Sequence, residues 1–103
     1  MKYLRVSKAS ALSEGAPLAV EAGGKAILLV RAGGDIYAVD ETCTHEEASL
    51  AGGFLEGTTI ECPRHGAVFD LKSGHALTLP AYRDLASYPV RLEGEDILVG
   101  LEI

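Results

Sequence analysis

The chain has 103 residues, 48% of them hydrophobic and 23% charged, enough for one buried core but not several. Fifteen acidic against nine basic residues give a formal charge of -6, which counts against nucleic-acid binding. Such an acidic surface keeps a domain soluble or steers it toward basic protein partners.

Tyr3 to Val6, Pro17 to Glu21, Lys25 to Arg31 and Asp35 to Asp40 read as short strands. Gly23-Gly24 and Gly33-Gly34 fall between them, so this region is expected to form consecutive hairpins. Short helical turns are possible at Lys8 to Leu12 and at Glu46 to Leu50, neither long enough to stand alone. Thr58 to Glu61, Ala67 to Leu71, Ser87 to Leu92 and Ile97 to Leu101 repeat the strand pattern, and Gly94-Glu95-Asp96 supplies the last turn. The expected class is all-β. No repeat, low-complexity tract or linker divides residues 1–103. The best apolar run, Ala26-Ile27-Leu28-Leu29-Val30, is far too short to cross a bilayer, and the first eight residues lack the apolar stretch of a secretory signal. Cytoplasmic residence without a membrane partner is therefore the expectation.

The chemistry is concentrated in two short runs, Cys43-Thr44-His45 and Cys62-Pro63-Arg64-His65. They hold both cysteines of the chain and two of its three histidines, with each cysteine followed by a histidine two or three positions later. Two thiolates and two imidazoles can meet at one metal. A disulfide between Cys43 and Cys62 would leave the histidines unexplained. Zinc takes such a donor set readily, but zinc fingers usually take both cysteines from one loop and both histidines from a helix. Here each loop gives one of each. That mixed pattern suits a two-iron centre whose irons differ, one bound by thiolates and the other by imidazoles.

The surrounding residues resemble the Rieske family. Cys43-Thr44-His45 and Cys62-Pro63-Arg64-His65-Gly66 are similar to its two cluster-binding loops, and the interval between them fits. Ile36-Tyr37-Ala38-Val39, Ala67-Val68-Phe69-Asp70, Lys72-Ser73-Gly74, Pro80 and Tyr88-Pro89-Val90 extend the likeness over nearly the whole chain, toward the small ferredoxins of this family. The resemblance implies an antiparallel β sandwich or barrel with a cluster-binding subdomain from about Cys43 to Pro80 inserted in its β base. It also implies one Rieske-type 2Fe-2S cluster, with Cys43 and Cys62 on the inner iron and His45 and His65 on the outer, more exposed one. Pro80 would belong to a third loop covering the cluster.

Departures from the family pattern are informative. Respiratory Rieske proteins carry a further cysteine in each loop, where this chain has Ala48 and Arg64, so no loop-linking disulfide is expected. They also have a serine and a tyrosine whose hydroxyls reach the cluster sulfurs, where this chain has Ala67 and Phe69. Fewer donors leave the cluster's negative charge less stabilised, which implies a potential near the low end of the Rieske range, about -150 mV.

Of the remaining residues, His75 is expected to be a solvated loop histidine and Leu50, Phe54 and Leu79 to be packing residues rather than an apolar docking rim. Glu46 and Glu47 follow a ligand and could favour a basic partner, although exposed charge is heavily screened. There is no Gly-x-Gly-x-x-Gly fingerprint and no separate His, His, carboxylate set. The resemblance therefore implies an electron carrier rather than an enzyme, a ferredoxin between an NAD(P)H-dependent ferredoxin reductase and a terminal oxygenase such as an aromatic-ring dioxygenase. The small Rieske-like subunit of assimilatory nitrite reductase, a zinc-stapled interaction domain without redox activity and a cluster-dependent regulatory module remain alternatives.

Overall fold

The computed structural model describes residues 1–43, 48–64, 66–78 and 83–102. Three antiparallel sheets stack around two cores. The first sheet joins β1 (Lys2–Lys8), β10 (Asp96–Leu101) and β9 (Val90–Glu93), in the order β1-β10-β9. The second runs β2-β3-β4-β8, from β2 (Leu18–Ala22), β3 (Lys25–Ala32), β4 (Asp35–Asp40) and β8 (Ser87–Tyr88). The third, β5-β6-β7, consists of Phe54–Glu56, Thr59–Glu61 and Val68–Asp70.

The run Ala26–Val30 explains the layering. In a strand successive side chains point to opposite faces, so a run without polar residues has two apolar faces to bury. Ile27 and Leu29 join Ala38, Ile97, Val99 and Leu101 in a core against the first sheet. Leu28 and Val30 join Ile60, Phe69 and Leu71 in the other core. The middle sheet thus serves both.

The hairpins fall where glycine pairs predict them: Ala22 pairs with Lys25 across the first turn and Ala32 with Asp35 across the second. Arg31 reaches back from β3 to donate to the carbonyls of Leu12 (2.9 Å) and Ala9 (3.0 Å), fixing the 3-10 turn Ala9–Ala11 to the sheet.

Three expectations shift. The second helical turn forms as a 3-10 turn at Leu50–Gly52, where the Ser49 hydroxyl accepts from the Ala51 amide; Glu46 and Glu47 lie outside the described residues. β5 was not visible as a strand in the sequence. The expected strand from Ser87 to Leu92 is broken at Pro89: β8 pairs with β4, while β9 pairs with β10. Proline has no amide hydrogen to give a ladder, so the chain changes sheets there.

The switch is held by Asp40. Its carboxylate accepts from the Tyr88 hydroxyl (2.6 Å) and the Ala86 amide (3.0 Å), while its own amide donates to the Ala86 carbonyl. Burial first, then the bond to Asp40, pushes the Tyr88 hydroxyl above the usual tyrosine range. The unfolded chain releases that proton near pH 10 while the folded protein keeps it, so stability is full below that pH and falls as pH rises beyond it. Tyr88→Phe should cost about 1–2 kcal/mol at neutral pH and remove part of the alkaline loss. Thermal melts from pH 8 to 11 check both; parallel pH profiles for the two proteins would contradict the assignment.

Candidate metal centre

Both cysteines are tied by the same kind of backbone bond. Cys43 follows β4, and its amide donates to the Ala48 carbonyl (2.9 Å); the ladder below is closed by a bridge between Thr42 and Ser49. Cys62 follows β6, and its amide donates to the Ala67 carbonyl (2.7 Å), above the paired residues Glu61 and Val68. In each loop the cysteine is thus tied to the residue five positions later. Gly66, at φ 76°, turns the second chain back, with its amide on the Cys62 carbonyl (3.1 Å). The first loop is further braced where the Glu41 carboxylate accepts from the Ser49 hydroxyl (2.6 Å) and the Glu41 carbonyl accepts from the Leu50 amide (2.7 Å).

Cys43 and Cys62 are only 3% and 1% exposed and belong to one core cluster with Ala48, Ala67 and Phe69. Neither is in a disulfide, so the disulfide reading does not hold. Two buried thiols facing a shared apolar core, each at the start of a tied loop, suit thiolate ligation to iron: the donor set is soft, and the surrounding shell is dry. Ala67 and Phe69 bring no hydroxyl to this core. Arg64 and Pro63 are exposed. His45 and His65 lie outside the described residues, as do Glu46, Glu47, Leu79 and Pro80. Among the described residues no cluster of three or more metal-binding side chains forms.

A third segment supports these loops. Beyond β7 the chain turns at Gly74, whose carbonyl accepts from the Leu85 amide (2.7 Å). The Asp84 carboxylate accepts from the Ala76 amide (2.8 Å) and meets His75 Nδ1 (2.9 Å), and the Thr78 hydroxyl accepts from the Val68 amide (3.0 Å). These contacts pin both stems of the segment around Pro80. The bond from the Ala76 amide, then that from His75, holds the Asp84 carboxyl below its ordinary range. His75 is exposed, as expected of a loop histidine, but it has a partner the sequence did not reveal. Leu50 is fully buried, whereas Phe54, expected to pack inside, is 64% exposed.

Fold and site together define a small β scaffold with two buried, unbridged cysteines, each tied across its loop. The chain matches the Rieske [2Fe-2S] domain model over residues 2–89 and belongs to that family, whose cofactor is a Rieske-type 2Fe-2S cluster. It is 42% identical over 90 residues to the ferredoxin component of a naphthalene 1,2-dioxygenase system from Pseudomonas aeruginosa, covering 87% of this chain and 86% of that one. The ferredoxin of carbazole 1,9a-dioxygenase from Nocardioides aromaticivorans IC177 superposes with a TM-score of 0.93 at 33% identity, covering 99% of this chain and 100% of that one. A second solved structure, a complex of reduced oxygenase and oxidised ferredoxin in carbazole 1,9a-dioxygenase, matches with a TM-score of 0.87 at 33% identity over 97% of both chains. Family membership displaces the zinc reading.

Proposed function

We propose that this protein is a one-electron carrier that takes electrons from an NAD(P)H-dependent ferredoxin reductase and delivers them to a terminal oxygenase in the cytoplasm. The observation that carries the proposal is the pair of twin loops with buried, reduced cysteines in a chain of Rieske sequence and fold. Its likeness to a dioxygenase ferredoxin component, and to a ferredoxin solved with its oxygenase, supports the choice of partners. No helix among the described residues is long and apolar enough to cross a membrane, which is compatible with a carrier that diffuses between proteins.

When bound, the cluster takes up and releases one electron. Cys43 and Cys62 would hold the inner iron, and His45 and His65 the outer one. The sheets keep the loops in place and exclude water from the thiolates. Residues 1–103 would act as one unit, with about 43–80 forming the cluster-binding part. The oxygenase, not this chain, performs the substrate chemistry.

Aerobically purified protein should be reddish with about two iron and two labile sulfide per chain, and Cys62→Ser should lose most of both. Its midpoint potential should lie near the low end of the Rieske range, about -150 mV, because Ala67 and Phe69 donate nothing to the cluster sulfurs. A clearly positive midpoint at neutral pH would overturn the low-potential reading. Wild-type protein unable to link a reductase to an oxygenase would overturn the carrier reading.

A further inference from the structure

The third sheet has one buried face and one that is partly exposed. Leu55, Ile60, Phe69 and Ala76 form a cross-strand row turned into the core. The next row toward the ligand loops is Phe54, Glu61, Val68 and Leu77, which lies on the opposite face. A sheet with one solvated face normally alternates apolar inside and polar outside. The outward row farther from the ligand loops, Glu56, Thr59 and Asp70, follows this rule, but in the row beside them three of the four positions are apolar. Phe54 is 64% and Leu77 53% exposed, two of the four large hydrophobic side chains that are exposed among the described residues.

The row is placed where a redox partner would meet it. Glu61 is followed directly by Cys62, Val68 lies two residues after Gly66, and the Glu61 carboxylate comes within 3.6 Å of where a Cβ on Gly66 would stand. A hollow of about 180 Å³ sits on this face, lined by Phe54, Leu55, Glu56, Thr59, Glu61 and Val68. Among the described residues no ion pair engages Glu56 or Glu61. Two carboxylates beside exposed aromatic and aliphatic groups match a lysine or arginine whose stem lies on Phe54 while its charge meets Glu61. Exposed apolar groups rimmed by charge mark interaction surfaces, and a few such residues carry most of the binding energy.

We propose that this outer face, centred on Phe54, Glu61 and Leu77, is part of the docking surface for the terminal oxygenase, and that it receives a basic side chain ringed by apolar ones. The inference rests on the electron-carrier reading and extends the contact from the loop end onto the β5-β7 sheet. Acidic Glu61 accelerates the encounter in a salt-dependent way, whereas Phe54 and Leu77 hold the complex once formed.

The test uses cluster-loaded protein and stopped-flow oxidation of its reduced form by the oxygenase of a naphthalene 1,2-dioxygenase system, at several salt concentrations. Phe54→Ala and Leu77→Ala should each lower the second-order rate about fivefold. Their midpoint potential, iron content and reduction by the reductase should stay at wild-type values. Glu61→Gln should flatten the salt dependence. Leu92→Ala, an exposed hydrophobe on β9, should behave as wild type. Unchanged rates in all variants, an equal loss in Leu92→Ala, or a loss confined to the reductase step would overturn the inference. Wild-type protein that is reduced by the reductase yet passes no electron to the oxygenase would sink the carrier reading itself, and this inference with it.

Discussion

Gly74→Ala is expected to lower the melting temperature by about 15 °C, corresponding to about 3 kcal/mol in a domain of this size. Gly74 is buried at φ 81°, a conformation that costs a residue with a Cβ about 1–2 kcal/mol. The larger difficulty is space. A Cβ there would overlap the Leu85 carbonyl oxygen and stand 3.0 Å from its carbon. Backbone atoms cannot swing aside like the end of a side chain, so the segment carrying Asp84 and Leu85 must move. That movement opens the stem of the segment around Pro80, and iron should be released faster at 25 °C. Gly57→Ala provides the comparison: φ is 58°, yet nothing lies within 4 Å of the added carbon, so it should cost about 1 kcal/mol. Equal losses for the two variants, measured by thermal melts and iron release, would show that the overlap with Leu85 is unimportant.

Phe69→Ala should have the other large effect. Phe69 is fully buried between the third sheet and the middle one, in the cluster of side chains that includes Cys43 and Cys62. Truncating it removes the ring and leaves a cavity, together costing about 3–5 kcal/mol. Because the cavity opens in the core cluster that also holds both thiols, cofactor retention should suffer more than stability alone explains. Val99→Ala, in the core against the first sheet, separates the two effects. Compared at equal distances below their own melting temperatures, the Phe69 variant should lose iron faster. Equal rates would mean that the two cores protect the metal centre alike.

The sequence revealed most strands because their apolar residues alternate and glycine pairs separate them. It missed β5 because Phe54-Leu55-Glu56 is only three residues long and places a phenylalanine outward, against the alternation that identifies a strand. The break at Pro89 was legible in principle, since proline cannot serve a ladder, but the change of partner depends on Asp40, far away in the chain. The site divides in the same way. Cys43 and Cys62, with their neighbouring histidines, stood out because two rare residue types recur at short spacing. The supports did not: Asp84 meets His75 and Ala76 only after the chain has returned from the segment around Pro80, and no local pattern announces that contact. Glu61 likewise gains its neighbours through pairing with Phe54 and Val68.

The apolar stretch in β3 carries a further consequence for how the chain finds its pairing. A strand with one wet face resists slipping by one residue, because the slip would send its apolar side chains into water. The middle of β3 has no such safeguard: exchanging Ile27 and Leu29 with Leu28 and Val30 would put aliphatic groups of similar volume into both cores. Over those four residues hydrophobicity does not choose the alignment, and only Arg31, which a slip would carry into a buried slot, resists it. The choice falls to the tight turns at either end, where Ala22 meets Lys25 and Ala32 meets Asp35. Their glycine pairs act as rulers, and through the alignment of β4 they set where Cys43 emerges.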